Sequence, residues 1–137
     1  MKTSIRKTCA ILASFLLFAG PHQALGIAQE ALQPVTAVMC ESVQQSAPVN
    51  QAVVFSIEFG RVTCFTEFDQ LPRQTVVLHK WYRKDNLVSV KRLSVNPAHR
   101  FSHSSMQLRD ADKGPWRVEV TDADANLLTT LRFSITD

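Results

Sequence analysis

Glycine is scarce in this sequence of 137 residues, which has four glycines. Two of them fall within the first 26 residues, so only Gly60 and Gly114, far apart in the chain, remain downstream. A loop that cradles phosphate and the Gly-x-Ser-x-Gly turn that presents a hydrolase nucleophile both need closely spaced glycines. The serines beside His103 therefore lack the setting of a nucleophile, and the sequence excludes a P-loop enzyme and an α/β-hydrolase.

The sequence also lacks the residue spacings that hold metal ions. The histidines after residue 26 have no tight ligand spacing, and there is no Cys-x-x-Cys. Asp110 with Asp112 and Asp122 with Asp124 form two Asp-x-Asp pairs, but neither pair has the glycine and the distal glutamate of a calcium-binding loop. We therefore predict no metal and no cofactor.

The first 26 residues have the three parts of a secretory signal peptide. Lys2, Arg6 and Lys7 form a basic start, and residues 8–20 are an apolar run without charge. Within Ala24-Leu25-Gly26, small residues occupy the two positions that a signal peptidase inspects. The apolar run has about 13 residues, fewer than the roughly 17 to 25 that span a membrane, so a cleaved signal is favoured over a retained anchor. This predicts a periplasmic or secreted protein.

Cleavage after Gly26 leaves residues 27–137, which are long enough for one domain. Residues 27–34 predict a loose lead-in that ends at a proline, followed by a single domain at 35–137. This chain has 12 basic and 12 acidic side chains, because three basic and no acidic residues leave with residues 1–26. A neutral domain has no electrostatic basis for binding nucleic acid or an anionic membrane surface, and we predict no membrane span in it.

Removal of the leader also removes Cys9 and leaves the pair Cys40 and Cys64. In an oxidising compartment this pair predicts a disulfide, which would stabilise the fold by about 3 kcal/mol in the loop-entropy description. Two buried free thiols, or a redox or metal-binding role, are the alternatives.

Apolar and polar residues alternate in short segments along the domain, which is typical of β-strands. The strongest single strand is predicted at 51–59, and the clearest hairpin at 116–121 and 129–136. Further strands are predicted at 35–43, 62–64, 75–83, 87–95 and 101–108.

The predicted fold is all-β, an antiparallel immunoglobulin-like β-sandwich of seven or eight short strands. Trp81, in the middle of the chain, is expected to fill its centre. The apolar positions change parity beyond Gly60, which indicates a bulge or bend there. Because Cys40 and Cys64 do not flank Trp81 as the cysteines of antibody domains do, the order of the strands stays open.

Four segments carry a likeness to a known family: VFSIEFGRVTCFTEF at 54–68, HKWYR at 79–83, LRDADKGPWRVEV at 108–120 and LRFSITD at 131–137. Over about residues 35–137 the chain resembles a bacterial family catalogued as domain of unknown function 2914. The resemblance implies an exported or membrane-associated accessory domain and transfers no activity. The chain departs from the family at Asp124-Ala125, where an Asp-Gly turn is usual, so a left-handed residue is less favourable there.

His79 and Trp81 share one face of a predicted strand and are the first candidates for a ligand site. A histidine on an apolar face is more often a core residue whose ring nitrogens are hydrogen-bonded. If the pair instead lined an open cleft, it could hold a small ligand such as a sugar or a peptide.

Arg117, Glu119 and Arg132 lie on the outward face of the terminal hairpin and form the second candidate, together with Lys113. Two registers are possible, and we expect Glu119 opposite Arg132, because the other register sets Arg117 opposite Arg132 at a cost of about 0.5 to 1 kcal/mol. These charged side chains are either a row of solvent-exposed charges without a binding role or a binding face.

The sequence as a whole favours an exported, non-catalytic binding or interaction module of the bacterial cell envelope. Its partner would be an envelope protein or a glycan. The alternative is a small periplasmic metal-binding protein or enzyme that uses His79 and its neighbours.

Overall fold

The computed structural model describes residues 31–137, so the predicted leader and its Cys9 lie outside the described residues. Residues 31–137 form nine β-strands and two 3-10 helices of three residues each, and no helix among them could cross a membrane. The strands are β1 (Pro34–Gln44), β2 (Ala47–Gln51), β3 (Val54–Ser56), β4 (Arg61–Phe68), β5 (Thr75–Arg83), β6 (Asn86–Val95), β7 (Phe101–Gln107), β8 (Gly114–Asp122) and β9 (Leu127–Thr136). The 3-10 helices are Ile57–Phe59 and Asp110–Asp112.

The strands form two sheets that pack into a sandwich, which confirms the predicted fold class. The four-stranded sheet has the order β2-β1-β4-β7, and the five-stranded sheet has the order β3-β9-β8-β5-β6. All neighbouring strands are antiparallel except β3 and β9, which pair in parallel over three residues. The order β9-β8-β5-β6 corresponds to strands G, F, C and C′ of an immunoglobulin variable domain.

Aromatic rings fill the space between the two sheets. Trp81 on β5 is buried, as predicted, and its ring meets that of Phe133 edge to face, with centroids 6.0 Å apart. Phe133 also stacks on Trp116 and meets Phe55 edge to face. Because each such ring removes about 150–250 Å² from water, this cluster is the main source of stability for the sandwich.

The strand predicted at 51–59 is wrong. β2 ends at Gln51, β3 has only three residues, and the chain then turns. Val53 and Phe59 are 68% and 55% exposed, whereas Phe55 is buried against the aromatic cluster. Alternation along the sequence suggested one buried face, but of that face only Phe55 is fully buried, and Ile57 is partly buried against the core.

The turn after β3 carries the chain from one sheet to the other. The Ser56 hydroxyl accepts a hydrogen bond from the backbone N–H of Glu58 at 3.1 Å and so begins the 3-10 helix. Gly60 ends the helix with φ at +70°, a conformation that glycine adopts without a steric penalty. The bend predicted at Gly60 is thus confirmed, and it is what allows β4 to join the four-stranded sheet.

The predicted disulfide is absent, and both cysteines are buried free thiols. They lie on neighbouring strands, where Cys40 is opposite Thr63 and Cys64 is opposite Met39. Directly opposed residues project to the same face of a sheet and successive residues to opposite faces, so the two sulfurs project to opposite sides. A disulfide needs Cβ atoms that point toward each other, so the sheet geometry prevents the bond. Burial raises the pKa of both thiols, which keeps them protonated.

Candidate functional site

His79 lies at the centre of a polar network between the sheets and is fully buried. Its Nδ1 is 2.8 Å from the Ser104 hydroxyl and its Nε2 is 3.3 Å from the Thr66 hydroxyl. The Ser104 hydroxyl also accepts a hydrogen bond from Nε1 of Trp81 at 3.1 Å, and Thr66 lies 2.8 Å from the Ser102 hydroxyl. The interpretation of His79 as a hydrogen-bonded core residue is therefore confirmed.

The same network fixes the protonation state of His79. Burial, reinforced by the charge of His103, lowers the pKa of His79 to about 4. The ring is therefore neutral near pH 7, with both nitrogens occupied by hydroxyls of the facing sheet. A buried polar group that is satisfied in this way ties β5 to the four-stranded sheet, so His79 acts as a structural link between the layers.

The part of the chain that the structure describes does not bring together a set of metal ligands. Across residues 31–137 no group of three or more His, Cys, Asp and Glu side chains is placed to hold an ion. The aspartates of the two Asp-x-Asp pairs are used in local structure instead. Asp112 accepts hydrogen bonds from Arg109, and Asp122 accepts them from the backbone of Asp124 and Asn126.

The outward face of the five-stranded sheet carries the second set of candidates. Arg117 lies directly opposite Arg132, and Glu119 lies opposite Thr130, so the register expected from charge is wrong. On the buried side this register sets Trp116 opposite Phe133, and their rings stack with centroids 6.3 Å apart. A stacked aromatic pair contributes about 0.5 to 1.5 kcal/mol beyond its buried area, which offsets the roughly 0.5 to 1 kcal/mol that opposed charges cost.

The positive charge of Arg117 is compensated by its neighbours. Its guanidinium lies over the ring of Tyr82, 4.2 Å from the centroid, and its Nε donates to Glu119 at 3.0 Å. Asp85 accepts a further charged hydrogen bond. The hydrogen bond that Arg117 donates to Glu119, followed by the one that it donates to Asp85, raises the pKa of Arg117. Arg132 is exposed, and among residues 31–137 no carboxylate lies within 4.0 Å of its guanidinium.

A cavity of about 170 Å³ opens between these groups. We call it the arginine notch, and it is lined by Tyr82, Lys84, Asp85, Pro115, Trp116, Arg117 and Arg132. Three of the lining side chains are cationic and one is anionic, so the notch attracts negative charge.

One wall of the arginine notch is a strained turn. Lys84 and Asp85 connect β5 to β6 and both have positive φ, +45° and +65°. A two-residue turn with positive φ at both positions favours Asn-Gly, so a Lys-Asp pair adopts it at a steric cost. The turn places Asp85 against Arg117.

Exposed apolar side chains continue this surface onto the edge strand β6. Leu87 lies opposite Tyr82, and Val90 lies opposite Lys80, on the outward face. Leu87, Val88 and Val90 are 53%, 51% and 45% exposed. We call the resulting surface the Arg–Tyr face, and its residues are Lys80, Tyr82, Leu87, Val90, Arg117, Glu119 and Arg132.

The structure thus separates the predicted site residues into three groups. Arg117, Glu119 and Arg132 come together on the Arg–Tyr face. His79 and Trp81 lie in the core, and Lys113 lies at the start of β8, where its ammonium pairs with Asp137 and Asp110.

Sequence reasoning missed Tyr82, Asp85 and Leu87 as parts of this surface. The available signal was the alternation along β5, which sets Tyr82 on the side opposite Trp81. That signal could not show which strands lie beside β5.

Comparison with known proteins identifies a family and no activity. No curated protein is significantly similar to this chain. The sequence model of a family described as "Protein of unknown function (DUF2914)" matches residues 74–135, a range that includes strands β5 to β8, most of β9 and every residue of the Arg–Tyr face. This match supports the resemblance to the DUF2914 family over residues 74–135.

Proposed function

We propose that this protein is an exported, non-catalytic binding module of the bacterial cell envelope, and that it binds a partner protein through the Arg–Tyr face. The observation that carries the proposal is the continuity of this face across four strands. Arg132, Arg117, Tyr82 and Leu87 follow one another on β9, β8, β5 and β6, from a cationic end to an apolar end.

The residue types on this face are those that dominate protein interfaces. Tyrosine and arginine are enriched among residues whose removal weakens binding most. Arg117 is held in place by Tyr82 and Glu119, so little side-chain freedom is lost when a partner binds. A group of exposed apolar side chains such as Leu87 and Val90 beside them is typical of an interaction site.

The charges of the face favour a partner segment that combines acidic and apolar side chains. An acidic side chain would lie between Arg132 and Lys84, where carboxylates are outnumbered, and apolar side chains would cover Leu87 and Val90. A protein is favoured over a glycan, because a sugar stacks on an open aromatic face. The face of Tyr82 is covered by the Arg117 guanidinium.

Site-specific photocrosslinking in bacterial cells tests the binding face. A photoreactive amino acid at position 87 or 90 should give a discrete adduct with a second protein. The same amino acid at position 103, which is exposed on the four-stranded sheet, is the matched control. Arg132→Glu should abolish the adduct from position 87. Three outcomes would refute the proposal that this face binds a partner: an adduct that persists in this variant, equal adducts from position 103, or no adduct from position 87 or 90.

Export is tested separately by fractionation and mass measurement. The residue pattern at 1–26 supports a leader that is cleaved after Gly26. The expected species in the periplasm or the medium begins at Ile27. Recovery of only the full-length chain, in the cytoplasm, would contradict export without affecting the result at position 87.

A further inference from the structure

We propose that the protein has a second binding site, a groove between the edge strands β6 and β7, which takes a small amphipathic anion: a carboxylate with a short apolar chain. The groove lies on the open side of the sandwich, because β6 ends the five-stranded sheet and β7 ends the four-stranded sheet. The site is separate from the Arg–Tyr face and does not depend on the function proposed for it.

The groove has a volume of about 300 Å³. Its lining residues are Trp81, Ser89, Lys91, Ser105, Met106, Gln107 and Arg109. This volume lies at the lower bound of small-molecule sites, which is roughly 300 Å³, so the ligand must be short.

The position of Lys91 is the first reason to assign an anion to the groove. The pairing of β5 with β6 is regular at Lys91, and its one irregularity lies nearer the turn, between Trp81 and Tyr82. Lys91 is directly opposite His79 and Ser89 is opposite Trp81, so both project from the inner side of the sheet. At these positions a sandwich normally has apolar side chains.

Lys91 reaches solvent at the mouth of the groove. Its side chain is exposed although it starts from an inner position. Among residues 31–137, no carboxylate oxygen lies within 4.0 Å of its ammonium. A cation without a partner in an inner position is available to an anion that enters between the sheets.

The other polar groups that line the groove also favour an anion. Arg109 supplies a second cation, and although its Nε lies 3.3 Å from a carboxylate of Asp112, its side chain is 78% exposed and free to turn. Gln107 and the two serines are neutral, and none of the lining residues is acidic. Two cations at the mouth, of which Arg109 is paired with Asp112 and Lys91 has no carboxylate within 4.0 Å among residues 31–137, produce a potential that favours an anion.

The floor of the groove is apolar, which is why the proposed ligand carries an apolar chain beside its carboxylate. Met106 and Trp81 line it. Trp81 is 1% exposed and lies beneath the groove, where its Nε1 donates to the Ser104 hydroxyl at 3.1 Å, whereas Met106 is only partly buried. A short alkyl chain would lie against Met106 while its carboxylate remains at Lys91 and Arg109.

Calorimetric titration of the purified protein with three probes tests this assignment. Hexanoate carries both parts of the ligand, hexanol the apolar chain alone and inorganic phosphate the charge alone. We expect saturable, one-to-one binding of hexanoate and at least about tenfold weaker binding of each of the others, since each lacks one set of contacts. Hexanol binding as tightly as hexanoate, phosphate binding as tightly, or the absence of saturation would overturn the proposal.

Two neighbouring residues of β6 provide a matched pair of variants. Lys91→Ala should weaken hexanoate binding about tenfold, because a charged hydrogen bond is lost. Arg92→Ala removes a cation from the outward face and should change binding by less than about twofold. Equal effects of the two changes would show a general response to net charge and contradict the site. Because both variants leave position 87 unchanged, the crosslinking result for the Arg–Tyr face is read independently.

Discussion

Arg117 and Arg132 lie directly opposite each other on the outward face of the terminal hairpin. Opposed like charges destabilise a sheet, yet the register is held by Trp116 and Phe133 on the buried side. Tyr82 and Glu119 compensate Arg117 and leave Arg132 uncompensated. The opposed charges therefore lower the stability of the hairpin, while Arg132 remains as an exposed positive group beside the arginine notch.

Arg132→Glu should consequently raise the free energy of unfolding, by about 0.5 to 1 kcal/mol. The substitution replaces a like-charge pair with an opposite-charge pair at the same position of the hairpin. Urea-induced unfolding of the purified protein measures the change. The gain should shrink in high salt, since the pair is exposed to solvent and is screened.

Thr130→Glu is the reverse control, because Thr130 lies opposite Glu119 and the change creates a like-charge pair. It should lower the free energy of unfolding by a similar amount, about 0.5 to 1 kcal/mol. If both substitutions shift stability in the same direction, cross-strand charge does not govern this face, and the argument for a retained positive group at Arg132 fails.

His79 should make stability depend on pH between about 6.5 and about 4. Its pKa in the folded protein, about 4, lies below the ordinary value of 6.5, so the unfolded chain binds the proton first as the pH falls. The stabilisation from neutral His79 is present above pH 6.5 and is lost toward pH 4. The loss is on the order of 3 kcal/mol.

His79→Gln isolates this contribution. The variant should be less stable than the parent at pH 7, because the hydrogen bonds to Ser104 and Thr66 change. Its stability should fall less steeply from pH 6.5 to 4 in urea-unfolding series. His99→Gln, which removes an exposed imidazole, is the matched control. A parent slope no steeper than that of His79→Gln would mean that His79 takes up its proton as readily in the folded protein as in the unfolded chain.

Local patterns predicted the parts of this fold that depend on one strand and its buried face. The alternation around Trp116 and Phe133 gave the terminal hairpin, and the apolar neighbours of Trp81 and His79 placed both in the core. The predicted strand at 51–59 failed because its end is set by the crossover to the other sheet, a tertiary requirement that periodicity does not contain.

The candidate site was predictable only in part, because it is assembled from four strands. Arg117, Glu119 and Arg132 were identified because all three lie on one hairpin, which the alternation of the sequence predicts. Tyr82 and Leu87 join them only through the order β9-β8-β5-β6, which the sequence does not state. The predicted register of the hairpin was wrong because the charge rule was applied alone, whereas the stacking of Trp116 on Phe133 offsets the cost of the opposed charges.

Cys40 and Cys64 should remain unreactive toward thiol reagents in the folded protein. Both are buried and burial raises their pKa, so the reactive thiolate is scarce. Alkylation of the purified protein in denaturant without a reductant should modify both Cys40 and Cys64, whereas alkylation under native conditions should modify neither. If modification in denaturant required a reductant, the two cysteines would be linked and the strand pairing of β1 with β4 would need to differ.

Ala125→Gly should raise the free energy of unfolding by about 1 kcal/mol, because Ala125 has φ at +66°, where a Cβ is crowded. Asp122 fixes the turn by accepting hydrogen bonds from the backbone of Asp124 and Asn126, so the loop cannot relax to relieve this crowding. Ala123→Gly in the same loop is the control, since φ there is not positive, and it should be neutral or destabilising. Thermal unfolding that ranks Ala123→Gly above Ala125→Gly would show that backbone strain is not stored at Ala125.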